Sequence, residues 1–145
     1  SARAVIPTII TQIANGAKEI ALGDVTPTRD FSYVTDTCNG FIAIAEHEKT
    51  IGETLNIGSN IELSILDTLN LIKELMGSNI NFIVDKGRIR PEKSEVFRLR
   101  CDSSRIKELT GQTPQIELKE GLQKTINWIL EPENLKAYKS EIFNV

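Results

Sequence analysis

Apolar residues recur every three or four positions in several stretches of the chain, which is the spacing of one buried helix face. In residues 4–14 this face consists of valine and isoleucine side chains, and the Asn15–Gly16 pair is expected to end the helix. We therefore expect about five helices and a final amphipathic stretch. They lie at residues 4–14, 36–48, 64–76, 102–109, 119–130 and 132–143.

Short apolar or alternating stretches between these helices predict strands. They lie at residues 19–22, 29–34, 53–57 and 81–84. Because strands alternate with helices, the expected fold class is mixed α/β or α+β, but the order of the strands does not follow from the sequence. Strands this short either form one domain or complete a sheet that belongs to another part of the protein.

Length and composition are those of one ordinary globular domain. The chain has 145 residues, 40% of them hydrophobic, and a formal net charge of −3. This hydrophobic fraction supports a real core, and the absence of a basic field argues against nucleic-acid binding. No apolar run reaches the length of a membrane span, so no membrane contact is expected. The two cysteines, Cys38 and Cys101, are interpreted as free thiols of a cytoplasmic protein.

Several motifs that carry chemistry are missing from the sequence. There is no G-x-G-x-x-G or G-x-x-G-x-x-G, no P-loop and no Y-x-x-x-K. The single histidine, His47, is interpreted as a solvated surface residue, and with one histidine and no C-x-x-C we expect no metal site. A complete active site is therefore not expected. Since the chain also begins at Ser1 without a methionine, we expect it to be part of a longer protein.

Arginines in two loop regions are candidates for binding an anion. Arg29 follows a glycine-containing loop, and Arg90 precedes Pro91 in a polar loop that also contains Arg88, Arg98 and Arg100. A planar guanidinium fits the oxygens of a phosphate group. The alternative is that these arginines are solvated or pair with nearby carboxylates, namely Asp30, Asp85, Glu92 and Glu95.

Asn56 is a further candidate, because it ends a predicted strand two residues before Gly58. An asparagine there can donate its side-chain amide to a ligand oxygen. The alternative is that Asn56 only shapes a turn beside the glycine.

Five short motifs stand in the order in which they occur in extended short-chain dehydrogenase/reductases. They are A-V-I-P at 4–7, G-x-x-x-x-x-R-D-F-S-Y-V-T-D at 23–36, N-I-G at 56–58, R-P at 90–91 and L-T-G-Q-T-P at 109–114. The chain thus resembles the carboxyl-terminal half of NAD-dependent epimerases and dehydratases. It is most similar to nucleotide-sugar 4,6-dehydratases of the legionaminic acid type. One departure is Gln112, which stands where the family usually has tryptophan.

The resemblance implies a carboxyl-terminal, nucleotide-sugar-binding portion of a cytoplasmic enzyme whose Rossmann core is absent here. NAD and the catalytic tyrosine and lysine would belong to the missing amino-terminal half, so the chain alone is expected to be inactive. The full-length enzyme is expected to be a homodimer that acts on UDP-N-acetylglucosamine or a similar UDP-, dTDP- or GDP-sugar. It would be a 4,6-dehydratase or an epimerase of the UDP-glucose 4-epimerase kind. A non-catalytic α/β interaction module is the alternative from another class.

The resemblance also assigns roles to single residues. Arg29, Asn56 and Arg90 would contact the pyrophosphate, and Glu95 is a candidate for the ribose hydroxyls. The backbone of Ile20, Ala21 and Leu22 would lie along the base, and the phosphate region would reach Ala4 and Val5.

It also implies how parts of the chain pack. Residues 29–48 would pack back on the Rossmann domain, and residues 132–145 would form a tail. In the fragment alone the apolar face of the helix at 36–48 would stay uncovered and could drive self-association. That face consists of Cys38, Phe41, Ile42, Ile44 and Ala45.

Overall fold

The computed structural model describes residues 4–89 and 94–138. This part of the chain contains six α-helices and four short strands, which confirms the mixed α/β class. The helices are α1 (Val5–Ala14), α2 (Val34–Glu46), α3 (Ile65–Leu75), α4 (Ser104–Thr110), α5 (Leu118–Leu130) and α6 (Pro132–Ala137). The strands are β1 (Glu19–Leu22), β2 (Thr28–Arg29), β3 (Leu63–Ser64) and β4 (Asn81–Val84).

The chain divides into two compact units. The first consists of Ser1–Pro27, Ser64–Phe97 and Leu122–Val145, and the second of Thr28–Leu63 and Arg98–Gly121. No helix in residues 4–89 and 94–138 is long and apolar enough to cross a membrane.

The first unit is built on a parallel pair of strands. β1 pairs with β4 in a register that places Ile20 opposite Phe82 and Leu22 opposite Val84. Helices α1 and α3 contact each other, and α1 also contacts β1. The apolar faces predicted from helical spacing form the core of this unit. Its fully or almost fully buried side chains are Ile9, Ile10, Ile20, Leu22, Leu69, Ile72, Leu122, Ile126 and Ile129.

Residues at the helix ends of the first unit adopt the conformations that their residue types favour. The Ser64 hydroxyl accepts a hydrogen bond from the backbone N–H of Asp67 at 3.0 Å, which fixes the start of α3. Gly16 follows α1 with φ +69°, and Gly77 follows α3 with φ +60°. Both adopt the left-handed conformation that ends a helix and favours glycine.

The second unit contains helices α2 and α4, which contact each other and a 3₁₀ turn at Glu48–Thr50. Strand β2 pairs with β3, and an isolated parallel bridge joins Thr28 to Arg98. The Leu99 N–H donates to the carbonyl of Thr28 at 3.2 Å, which continues this bridge. Buried positions of the unit include Ile106 and the carboxylate residue Asp36.

The strand predicted at 29–34 is wrong beyond its first residue. Backbone pairing is confined to Thr28–Arg29, and α2 begins at Val34, two residues before the predicted start at 36, with Tyr33 as its N-cap. The alternation of Phe31 and Tyr33 that suggested a strand has another cause: Phe31 lines a cavity, and Tyr33 packs against Gly121. Packing against neighbours thus produces an alternation that resembles a strand.

The strand predicted at 53–57 is also absent from the described structure. A strand needs a neighbour for its backbone hydrogen bonds, and none of the described strands pairs with this segment. Ile57 instead packs against α2, where a Cβ on Gly40 would come within 2.7 Å of its side chain. The last predicted helix is seen as Pro132–Ala137, and residues beyond 138 lie outside the described part.

The predicted apolar face of α2 is largely exposed. Phe41 is 64% and Ile42 52% exposed, Cys38 and Ala45 are exposed, and Ile44 is half-buried. Val34, 62% exposed, extends this face by one turn. We call Val34, Cys38, Phe41, Ile42 and Ala45 the α2 apolar face.

Candidate functional site

The residues predicted to bind a ligand fall into both units. Arg29 and Asn56 belong to the second unit, whereas Ala4, Val5, Ile20, Ala21, Leu22 and Glu95 belong to the first. Arg90 lies outside the described residues. Within the second unit, Arg29 and Asn56 line two different cavities, and Ser32 contributes to both.

The Arg29 cavity has a volume of about 350 Å³. The guanidinium of Arg29 donates through Nη1 to the carbonyl of Thr28 at 2.7 Å, which folds the end of the side chain back against the backbone. Apolar and polar residues contribute equally to the wall, and the polar ones include two serines and the carboxylate residues Asp36 and Glu117. The wall consists of Arg29, Phe31, Ser32, Asp36, Ser59, Ile61, Leu63, Pro114, Gln115, Ile116, Glu117 and Leu118.

The Asn56 cavity is larger, about 550 Å³, and also contains Asp30, Arg100 and Asp102. The Asn56 side chain is exposed, and its Nδ2 donates to the carbonyl of Asp102 at 3.4 Å. This distance is longer than that of a typical N–H···O bond, so the amide can exchange this partner for a ligand oxygen at small cost.

Two aspartates of the R-D-F-S-Y-V-T-D motif hold the loops around these cavities. Asp30 accepts hydrogen bonds from the N–H and hydroxyl of Ser59 at 2.9 and 2.6 Å, and from the N–H of Cys101 at 3.2 Å. Asp36 is buried and accepts from the N–H groups of Gln115 and Ile116, both at 3.0 Å. Each carboxylate therefore fixes backbone segments that are distant in sequence.

Sequence reasoning missed the roles of these two aspartates. Their presence in the motif is visible, but the backbone N–H groups that they bind lie 29 to 80 positions away. A buried aspartate in the first turn of a helix is usually assigned to the helix itself. In this chain the carboxylate of Asp36 instead accepts hydrogen bonds from the backbone of a separate loop.

Two neighbouring arginines of the second unit have different surroundings. The Nε of Arg98 lies 2.8 Å from both oxygens of Glu62. Two hydrogen bonds lower the pKa of the Glu62 carboxyl. The one from the Thr28 hydroxyl has the larger effect, and the one from Arg98 has the smaller. Arg100 instead donates from Nε to the side-chain oxygen of Asn60 at 2.9 Å.

Cys101 is not an activated nucleophile. Burial, with additional contributions from Asp30 and Asp102, raises the pKa of its thiol. A raised pKa disfavours the thiolate, which is the reactive form. His47 is exposed, and its Nδ1 lies 2.8 Å from the carbonyl of Ala43, which accords with a surface role. In the described part of the chain no cluster of His, Cys, Asp and Glu could hold a metal ion.

The predicted base-contacting residues of the first unit form strand β1. The Gln12 side chain donates to the carbonyl of Ala21 at 3.2 Å and accepts from its N–H at 2.9 Å. Both polar groups of the Ala21 backbone are therefore engaged within the unit. Ala4 is the exposed N-cap of α1, Val5 is half-buried and Glu95 is half-buried.

The N-I-G motif depends on the absence of a side chain at Gly58. A Cβ built there would lie 2.3 Å from the Cβ of Cys101 and 2.5 Å from its sulfur. We expect Gly58→Ala to lower the free energy of unfolding by about 1–3 kcal/mol, because the loop must shift. Urea unfolding of the single variant and of Gly58→Ala combined with Cys101→Gly tests this. The double variant should recover part of the loss, and a single variant as stable as wild type would contradict the packing.

The sequence profile of the family described as GDP-mannose 4,6 dehydratase matches residues 2–125. The chain belongs to this family. Its relatives include NAD-dependent 4,6-dehydratases and epimerases of nucleotide-sugars, so the resemblance carried by the five motifs is confirmed for the family. The narrower likeness to the legionaminic acid type is not established by this match.

The relatives of this chain are named for different nucleotide-sugars. It is 34% identical over 132 residues to UDP-N-acetyl-alpha-D-glucosaminuronate decarboxylase of Bacillus cytotoxicus, which covers 90% of this chain and 41% of that protein. The structure of dTDP-glucose 4,6-dehydratase from Bacillus anthracis, in complex with NAD, is similar with a TM-score of 0.77 and 28% identity. That match covers 94% of this chain and 42% of the other.

A second solved relative holds a nucleotide-sugar as well as NAD. It is UDP-glucuronic acid 4-epimerase from Bacillus cereus in complex with UDP-glucuronic acid and NAD, with a TM-score of 0.76 and 28% identity. The match covers 87% of this chain and 39% of that chain. The chain thus spans about two fifths of the length of these relatives.

Proposed function

We propose that this chain is the nucleotide-sugar-binding portion of an NAD-dependent 4,6-dehydratase or epimerase. The observation that carries the proposal is the family match over residues 2–125, which includes the positions of Arg29, Asn56 and Arg90. We use "whole enzyme" for this chain together with the amino-terminal domain that we propose to precede it. UDP-N-acetylglucosamine is the substrate we propose, with another UDP-, dTDP- or GDP-sugar as the alternative.

The pyrophosphate of the substrate is proposed to bind to Arg29, Arg90 and Asn56. Arg29 lines a cavity whose wall is half apolar, and in such partly desolvated surroundings an ionic hydrogen bond to phosphate is stronger than in water. Among the described residues, the Asn56 amide donates one hydrogen bond, the long one to Asp102, which a ligand oxygen can replace. Two cations and one amide match the charge and the oxygens of a pyrophosphate.

The rest of the nucleotide is proposed to lie on the first unit. Ile20, Ala21 and Leu22 would contact the base, Glu95 the ribose hydroxyls, and the start of α1 at Ala4 and Val5 the phosphate region. Because Gln12 already binds the Ala21 backbone, the base would meet Ala21 through packing rather than through its N–H.

The contribution of this chain to catalysis is to bind and orient the sugar. NAD, when bound by the amino-terminal domain, supplies the hydride acceptor and donor. Contacts to the nucleotide place the sugar without taking part in the reaction, so their binding energy can lower the barrier at the distant reacting carbon. No residue of this chain is assigned to NAD or to proton transfer.

Turnover tests this proposal, and the chain by itself is expected to show none. Because the motifs for NAD and for the catalytic tyrosine and lysine are absent, UDP-N-acetylglucosamine with NAD should remain unchanged with the chain alone. The whole enzyme should convert a nucleotide-sugar, which NMR of the product would show. Loss of the C6 hydroxyl identifies a dehydratase, and inversion at C4 an epimerase. Turnover by the chain alone, or none by the whole enzyme on any UDP-, dTDP- or GDP-sugar, would refute the assignment.

The alternative function is a non-catalytic interaction module. The α2 apolar face is the observation that favours it, because exposed contiguous apolar side chains commonly mark contact surfaces. We propose that the amino-terminal domain of the whole enzyme is what covers this face. About three fifths of the relatives' length lies outside the matched region and is available to do so. The whole enzyme is proposed to be a cytoplasmic homodimer, and the chain alone to self-associate through this face.

The same substitution in two proteins, the whole enzyme and the chain alone, tests whether the α2 apolar face is covered. Phe41→Ser should lower the unfolding free energy of the whole enzyme by about 1.5–3 kcal/mol, because the ring is buried there. In the chain alone at low concentration the same change should stay within about 0.5 kcal/mol, because the ring is already exposed. Thermal or urea unfolding measures both. Equal effects in the two backgrounds would count against the covering domain.

A further inference from the structure

Arg98 and Arg100 differ in their ion pairing although only one residue separates them in the sequence. Arg98 is held by the Glu62 carboxylate, so its charge is neutralised locally. Within residues 4–89 and 94–138, Arg100 has no carboxylate within ion-pair distance. Its guanidinium is exposed. Arg100 is therefore a cation that the described fold does not use for an ion pair.

Arg100 is nevertheless oriented by the fold. Its Nε donates to the Asn60 side chain at 2.9 Å, and Asn60 adopts the left-handed conformation with φ +62°. A non-glycine residue in this conformation is uncommon. Because Nε is occupied, the guanidinium is fixed at one end. The N–H groups on its two Nη nitrogens remain for another acceptor.

Arg100 and Asn56 line the same cavity, and Arg100 also lines a neighbouring cavity that contains Asn60. Two carboxylates also line the Asn56 cavity. Both accept hydrogen bonds from other donors, although the charge of Arg100 is, after the hydrogen bonds from Ser104, one of the causes that lower the pKa of Asp102. Asp30 binds Ser59 and Cys101, and Asp102 accepts from the N–H of Ser104 at 3.0 Å. The side-chain N–H donors of the cavity wall thus come from Arg100 and Asn56, and the hydroxyls of Ser32 and Thr37 are further donors.

We propose that Arg100 and Asn56 together form a subsite for one phosphate group of the nucleotide-sugar. The inference rests on the proposed function and adds to it a residue that the motifs do not assign. The two Nη groups of an arginine match two oxygens of a phosphate, and an amide N–H can bind the third. Arg100 is then a binding residue of the second unit in addition to Arg29.

Titration of the whole enzyme with UDP and with uridine tests this subsite. Arg100→Ala should weaken UDP binding about tenfold, because a charge-assisted phosphate contact is lost. Uridine has no phosphate, so its affinity should stay within about twofold. Arg100→Lys should recover only part of the UDP affinity, since lysine lacks the planar fork. Arg98→Ala is the matched control, because it removes the same charge from an arginine that is bound to Glu62.

The outcomes separate this inference from the function on which it rests. If wild type binds UDP no better than uridine, the proposed function fails. If wild type prefers UDP and Arg100→Ala keeps that preference, the subsite alone fails. If Arg98→Ala and Arg100→Ala weaken UDP equally, the effect is one of net charge, and the subsite is also refuted. The subsite is supported when only the Arg100 variants lose affinity for UDP.

Discussion

Replacing Arg29 with alanine is expected to weaken nucleotide-sugar binding by the whole enzyme about tenfold to a hundredfold. Arg29 is the one cationic side chain among the described residues that line its cavity, so no other cation of that wall can take over its contact to phosphate. Charge-assisted hydrogen bonds contribute about 1.5–3 kcal/mol each, which corresponds to this range of affinity. Calorimetric titration with UDP measures the change.

Specific controls accompany the Arg29 variant. NAD affinity should change little, because NAD is proposed to bind in the other domain. Arg29→Lys should recover only part of the UDP affinity. Arg105→Ala provides a comparison within the same unit, since Arg105 pairs on the surface with Glu53 and Glu108. Unchanged UDP affinity in Arg29→Ala, or an equal loss in Arg105→Ala, would refute the role of Arg29.

Replacing Asp36 with alanine is expected to destabilise the second unit by about 2–5 kcal/mol. The carboxylate is 3% exposed and accepts the N–H groups of Gln115 and Ile116. Alanine leaves both donors without an acceptor, and each buried, unsatisfied N–H costs about 1–3 kcal/mol. Urea unfolding gives the total, and hydrogen exchange at residues 115 and 116 shows whether the loss is local.

Two variants show whether burial causes the Asp36 effect. Asp24 also accepts from a backbone N–H, that of Thr26, but the bond is exposed, so Asp24→Ala should cost less than about 1 kcal/mol. Asp36→Asn keeps one acceptor oxygen and should fall between wild type and alanine. If Asp24→Ala and Asp36→Ala cost the same, or exchange at residues 115 and 116 is unchanged, the account of Asp36 is wrong.

Most helices could be predicted from the sequence because their determinants are local. The spacing of apolar residues and the cap at Ser64 locate α1, α3 and α5 to within about two residues. Strands 19–22 and 81–84 were found as well, and they pair with each other in the structure. The strands predicted at 29–34 and 53–57 failed because a strand also requires a neighbour, which local pattern does not reveal.

The candidate site could be predicted only in part for the same reason. Arg29 and Asn56 belong to motifs that are recognisable in the sequence, and the structure places each in the wall of a cavity. The difference between Arg98 and Arg100 depends on Glu62 and Asn60, which lie 36 and 40 positions earlier in the chain. Pairings over such distances follow from the fold and not from the spacing of residues.

Hydrogen–deuterium exchange of the whole enzyme, with and without saturating UDP, tests the central claim most directly. If this chain carries the nucleotide-sugar site, UDP should slow exchange within it. The slowed segments should include residues 28–32, beside Arg29, and residues 55–60, beside Asn56. NAD should instead slow exchange mainly in the amino-terminal domain. Slowing by UDP that is confined to the amino-terminal domain would contradict the claim that this chain binds the nucleotide-sugar.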